Sequence, residues 1–158
     1  MADNGQSVFS LAAEDYRFIE DEHARLHELL DSLYRTCRNL DNELDCRSCS
    51  SEKLASCQGR LISSFHNLIY LADNHFAHEE DIMQSWPHIA ARYGQFRDHQ
   101  QAHIHIMEAL RSTVGECETL NQQEHTAESY RRLYRRMSQM LEEHARLFDD
   151  PFIRATAP

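Results

Sequence analysis

The sequence predicts an all-α chain, folded as an up-down-up-down antiparallel four-helix bundle. Three observations carry that prediction. The 158 residues hold only 4 glycines and 3 prolines, few enough to leave long uninterrupted elements. Apolar residues recur at steps of three and four, the period of a helix with one buried face. That pattern fills four separate stretches, and four amphipathic helices bury their apolar stripes together as a bundle.

The first stretch, about 12 to 40, presents Ile19, His23, Leu26, Leu30, Leu33 and Cys37 at steps of 4, 3, 4, 3 and 4. The second, about 52 to 84, presents Leu61, Phe65, Leu68, Ala72, His75, Glu79 and Ile82. The third, about 88 to 118, presents Phe96, His99, His103, Ile106 and Leu110. The fourth, about 126 to 149, presents Tyr130, Leu133, Met137, Met140, His144 and Phe148. The breaks fit these stretches. The polar run 41–51, "DNELDCRSCSS", reads as a loop. Trp86-Pro87 ends the second helix, because a residue before proline avoids the helical region, and Pro87 suits the first turn of the next. Gly115 sits near the end of the third helix, and Pro151 is expected to stop the fourth near Asp149 and Asp150. The expected organisation is a flexible segment 1–11, one domain over 12–150 with a cysteine-containing loop at about 41–51, and 151–158 as a tail or the start of a linker.

Charge narrows the partners. The net charge is −10, with 26 acidic residues, and an acidic surface repels phosphate backbones, so no nucleic-acid partner is expected. The N-terminus "MADNGQSVFS" lacks the basic and apolar regions of a signal peptide. No apolar run approaches the ~20 residues that span a bilayer. A soluble, cytoplasmic protein with no membrane partner is the expectation.

Histidine is the outlier, with eleven in the chain. His66, His88, His105 and His125 fall off the apolar seams. His78 lies beside His75 but away from Glu79, and His27 borders the first seam. These six read as surface or ordinary helix histidines, or, for His78 and His27, as residues that support the site from outside the ligands. His23, His75, His99, His103 and His144 lie in the seams themselves. Each buried imidazole costs roughly 1–3 kcal/mol unless it finds a partner. Metal ions would satisfy all five together.

The spacing supports that reading. His75/Glu79 and His99/His103 stand at i, i+4, on one helical face. Asp149 follows His144 by five residues, about 500° of α-helix, so it reaches inward only if the helix ends there. Five imidazoles and two carboxylates exceed the three protein ligands of a catalytic zinc. The set also differs from the ferritin-type site, because Leu141 stands where the fourth helix would need a glutamate. Imidazole-rich ligation with carboxylate bridges suits two ions such as iron.

The strings "IEDEH", "HFAHEEDIMQSWP", "HQQAH" and "HARLFD", taken in order over about residues 12 to 150, resemble the hemerythrin family in its bacterial branch. That resemblance implies a four-helix bundle around two iron ions joined by an oxo or hydroxo bridge (Fe-O-Fe or Fe-OH-Fe). It implies that His99, His103 and His144 hold one iron, that His23 and His75 hold the other, and that Glu79 and Asp149 bridge them. Counted this way the first iron is six-coordinate and the second five-coordinate. The family's O2 binds at the open iron as hydroperoxide, taking its proton from the bridging hydroxide. Leu141, one turn before His144, is implied as an apolar wall of that O2 pocket.

Two features stand apart from the resemblance. The links between His23 and His75 and between His103 and His144 are long, which leaves pocket shape and access open. The first link carries Cys37, Cys46, Cys49 and Cys57 as C-x8-C-x2-C-x7-C, with Cys117 far off. Three readings stand: reduced thiols with Cys37 in the core, a redox pair at Cys46 and Cys49, or a second metal site. The arginine tract "RRLYRR" reads as a solvated face.

The expected function is a non-haem di-iron O2-binding domain used in oxygen or redox sensing and not an enzyme, with a signalling output domain or partner protein. A stand-alone O2 carrier or scavenger is the near alternative. The far one is a di-iron enzyme acting on peroxide or nitric oxide. The seams show no acid/base residue beyond the ligands to serve that chemistry.

Overall fold

A computed structural model of the chain describes residues 13–36, 46–85, 91–119 and 127–156. Every regular element among the described residues is helical. Helix α1 runs Ala13–Thr36, α2 Ser51–Ser85, α3 Phe96–Thr119 and α4 Ala127–His144. A single π-helical turn, Ala145–Asp149, then leads into a short α5, Asp150–Thr156. Helix α1 packs on α2, α2 on α3, α3 on α4, and α4 back on α1. No helix among the described residues is long and apolar enough to cross a membrane.

Local sequence explains the ends. A 3-10 turn at Cys46–Ser48 precedes α2, whose first turn is capped by Ser50: its hydroxyl accepts from the Lys53 N–H (3.3 Å). Helix α2 stops at Ser85, beside the Trp86-Pro87 pair. The third helix starts later than its periodicity suggests. A short helical turn at 91–93 is broken by Gly94, whose φ of 72° suits only a residue without a Cβ, and α3 follows at Phe96. Gly115, read from sequence as an end signal, lies inside α3. Cys37, the loop residues 41–45, Trp86, Pro87, His88 and His125 lie outside the described residues, as do 1–12 and 157–158.

The fourth helix departs most from expectation. Pro151 does not stop the chain's helical course. The N–H of Asp150 bonds to the carbonyl of Ala145, an i to i−5 contact that widens one turn, and the helix resumes with Pro151 in its first turn. That is where a missing N–H costs least.

The core is divided. A large apolar cluster draws on all four long helices, with Leu30, Leu33, Phe65, Leu68, Leu110 and Met137 at its centre. A smaller cluster joins Ile19 of α1, Met83 of α2, Tyr93 and Phe152 of α5. Along each long helix the seam histidines fall between the two, so a polar layer is sealed by apolar packing on both sides.

Candidate metal centre

The polar layer contains all seven side chains singled out by their spacing. His75, Glu79, His99, His103, His144 and Asp149 are buried, and the His23 side chain keeps 22% of its surface exposed. Their ligand-type atoms form two groups. Glu79, His99, His103 and His144 make one; His23, His75, Glu79 and Asp149 make the other, with the atoms of each group within 4.8 Å of one another.

In the first group the Nε2 atoms of His99 and His103 approach Nε2 of His144 at 3.2 and 3.1 Å. Glu79 Oε2 lies 3.4 Å from His99 Nε2 and 3.3 Å from His103 Nε2. In the second group the Nε2 atoms of His23 and His75 face each other at 3.1 Å. Asp149 divides its two oxygens between the groups. Oδ1 is 2.9 Å from His144 and 3.2 Å from His99, while Oδ2 is 3.2 Å from His23. The π turn makes this possible. An ordinary α-helix would leave Asp149 about 140° round from His144. The wider turn brings the fifth residue back over the first, and such turns recur at functional sites. Sequence reasoning had Asp149 reach inward because the helix ended; it reaches inward because the helix widens.

The outer nitrogens show which tautomers the rings hold. His103 Nδ1 lies 2.8 Å from Glu80 Oε1, and His75 Nδ1 lies 3.3 Å from Glu22 Oε2. A carboxylate only accepts, so each Nδ1 carries the proton. Tyr93 donates its hydroxyl to the Phe148 carbonyl (3.2 Å), so His99 Nδ1 donates to the Tyr93 oxygen (3.2 Å). With a metal ion in place of any Nε2 proton, three Nε2 lone pairs would face inward. Rings are also held flat: Phe76 stacks on His103 (4.1 Å between centroids) and Phe148 on His99 (5.2 Å).

The electrostatics demand cations. Both oxygens of Glu79 and Oδ1 of Asp149 are buried without a well-formed hydrogen bond among the described residues. A buried carboxylate in that state is strongly unfavourable unless positive charge lies beside it. The ionisation of the neighbours reports the same demand. Burial works against charge at His75, but Asp149, Glu22 and Glu79 outweigh it and raise its pKa to about 10. Burial likewise opposes ionised Glu79, yet His103 and His99 hold it down at about 2. Asp149 is held far below the carboxylate range against its burial by His144, His23, His75 and His99. His144 goes the other way: burial lowers its pKa, with His103 and His99 adding to the effect. A proton satisfies one facing pair of nitrogens. It cannot satisfy two imidazoles and a carboxylate oxygen converging on one His144 Nε2. Metal ions fit that donor set.

A cavity of about 60 Å³ opens beside the second group, lined by His23, His75 and Asp149, by His144 of the first group, and by apolar residues that include Phe76 and Leu141. It is large enough for a small molecule. Leu141 therefore stands in the wall, although it is half-buried. His27 lines the same cavity. Sequence placed His27 at the border of the first seam, and the structure puts it at the mouth of this cavity as an exposed residue.

A family model described as the hemerythrin HHE cation binding domain matches residues 14–154. The chain belongs to the hemerythrin family. No curated protein and no solved structure matches it. A cation-binding domain agrees with a polar layer whose buried carboxylates and facing imidazoles ask for positive charge.

The cysteines stay apart from this hemerythrin site. Cys46, Cys49 and Cys57 are half-buried, Cys117 is buried in the large core, and none enters either ligand group. Cys37 is outside the described residues. Sequence reasoning missed Glu22, Glu80 and Tyr93. The two glutamates stand directly beside His23 and Glu79 in the chain, which was the available signal; Tyr93 offered none, lying between two stretches of clear period.

Proposed function

We propose that the chain is a non-haem di-iron O2-binding domain, built as an up-down-up-down bundle over about 12–150 and serving oxygen or redox sensing. His99, His103 and His144 would hold one iron and His23 and His75 the other, with Glu79 and Asp149 shared. Such a pair of ferrous ions, when bound, supplies reversible uptake of O2 together with the two electrons that reduce it. The single observation that carries the reading is the asymmetry of the layer: three imidazoles make one group and two the other, and the small cavity is lined by both imidazoles of the second group but by His144 alone of the first.

The chain's own residues have definable roles there. Leu26, Leu30, Phe76 and Leu141 make the cavity wall apolar, which admits a diatomic molecule and keeps bulk water out. Glu22, Glu80 and Tyr93 aim the imidazoles. The thiols Cys46 and Cys49, well apart from the ligands, suit a redox-responsive output with a signalling partner. One observation favours the enzymatic alternative on peroxide or nitric oxide: His27 at the cavity supplies an acid/base group.

The test is direct. Protein prepared without oxygen and loaded with ferrous iron should retain two irons per chain. It should gain visible absorption on exposure to O2 and lose it on purging. Stoichiometric zinc in protein expressed with iron supplied would overturn the assignment. Immediate, irreversible oxidation would favour the enzyme over the carrier or sensor.

A further inference from the structure

Beyond the ligands, two carboxylates on the outer side of the polar layer repeat one arrangement. Glu22 of α1 reaches across to α2, where Oε2 lies 3.3 Å from His75 Nδ1 and Oε1 lies 2.7 Å from His78 Nδ1. Glu80 of α2 reaches across to α3, where Oε1 lies 2.8 Å from His103 Nδ1 and Oε2 accepts from Gln100 Nε2 at 2.9 Å. In both cases one oxygen grips the outer nitrogen of a buried histidine. The other oxygen is held by a side chain three residues away on the same helix. In both cases the carboxylate adjoins a metal-facing residue, His23 or Glu79. The chain order is reversed between the two: Glu22 precedes its neighbour and Glu80 follows it, His75 comes before His78 and His103 comes after Gln100.

We propose that Glu22 with His78, and Glu80 with Gln100, are two matched clamps, each positioning one metal-facing histidine in one half of the centre. The proposal rests on the di-iron reading above. Its physical basis is that a neutral imidazole carries one ring proton on either nitrogen. Left alone, His75 or His103 would spend part of its time with the proton on Nε2, where it repels a cation. A carboxylate fixed at Nδ1 holds the proton outside, leaves the Nε2 lone pair inward, and makes the ring a stronger donor. The second hydrogen bond keeps the carboxylate from swinging to solvent. This matters because the Glu22 and Glu80 side chains retain 12% and 28% of their surface exposed. Ordinary surface ion pairs would not place both carboxylate oxygens this way on both sides of one site. His78, which sequence alone reads as a surface residue or one just outside the ligands, steadies Glu22 while its ring packs edge-on to Phe18 at 4.7 Å.

The clamps predict effects separable by half. Glu22→Ala should loosen the metal held through His75, and Glu80→Ala that held through His103, each by about 10–100-fold in competition with a chelator for ferrous iron. Glu22→Gln and Glu80→Gln keep size and one acceptor, so each should restore part of the loss and guard against misfolding. The discriminating readout is nuclear magnetic resonance of the zinc-loaded chain, zinc being a diamagnetic probe. Slowly exchanging Nδ1–H signals are expected for both His75 and His103. Glu22→Gln should shift or broaden the first alone, and Glu80→Gln the second alone. If wild type holds metal but neither variant changes retention or its own histidine signal, the clamps are wrong and the centre stands without them. If wild type holds neither iron nor zinc, the di-iron reading itself falls, and the clamps fall with it.

Discussion

The two halves of the polar layer use the same chemistry in opposite settings. Around His99, His103 and His144 every donor is buried, two phenylalanine rings press on the imidazoles, and Tyr93 closes the outer side. Around His23 and His75 there is one imidazole fewer, His23 is partly exposed, and both rings line a cavity that only His144 reaches from the other half. The difference teaches how one site could divide holding a metal from admitting a ligand. A half closed by packing suits retention; a half with a gap in its shell suits exchange with a small molecule.

The comparison breaks most completely at the residues the halves share. Glu79 is fully buried and belongs to both groups, and Asp149 directs one oxygen to each. Glu79→Ala should therefore cost both ions, with metal analysis falling from two per chain toward none. Melting should also drop well below that of the loaded wild type, because ions that bind only the folded state stabilise it by mass action. Retention of one full ion would show that the halves are independent and that Glu79 bridges nothing.

A subtler change separates the halves. His99→Ala removes a fully buried ring with partners on both nitrogens, whereas His23→Ala removes a partly exposed one beside existing space. The first should lose metal from the three-imidazole half and lower stability clearly. The second should still fold, keep close to one ion per chain, and lose the response to O2. Equal metal loss in both variants would erase the distinction between a closed and an open half.

How much of this was legible beforehand follows from what each signal measures. The four stripes were readable because burial imposes a three- and four-residue period on any core-facing helix. The five seam histidines were readable because imidazole is out of place in that period. The geometry of Asp149 was not, since angular reasoning assumes 100° per residue and the chain widens at Ala145–Asp149. Pro151 read as a stop because sequence shows its missing N–H and not the turn that accommodates it. Phe152 was accordingly absent from the expected core, though it is completely buried in the smaller cluster. Glu22 and Glu80 were hidden among many exposed acids, where only a structure distinguishes a carboxylate that points between helices.

The cavity wall gives a milder effect. Leu141 is half-buried, so Leu141→Ala should cost about 1–2 kcal/mol in denaturant unfolding, below the range for fully buried leucine. The same change opens the wall to water. The oxygen-dependent absorption should therefore decay faster after mixing in stopped flow, with metal content unchanged. An unaltered decay would shift the barrier to Leu26, Leu30 and Phe76.

The smallest effect on the centre is expected from the cysteines, and it tests whether the thiol-bearing segment is a separate region. Cys46, Cys49 and Cys57 lie before and within the first turns of α2, far along that helix from His75 and Glu79. Cys46→Ser with Cys49→Ser should leave iron content and absorption as they are, because neither sulfur contributes to either ligand group. Cys117 supplies the internal control. Burial, with Glu116 and Glu118 nearby, pushes its thiol up to about 12, so near neutral pH it is almost wholly protonated and poorly nucleophilic. Alkylation of the native protein with iodoacetamide should therefore leave Cys117 unmodified while labelling Cys57, which is only half-buried. On denaturation Cys117 should react at the rate of an ordinary thiol. Early labelling of Cys117 in the native protein would mean that the far end of the large core opens readily. Loss of iron in the double serine variant would join the two regions that the structure keeps apart.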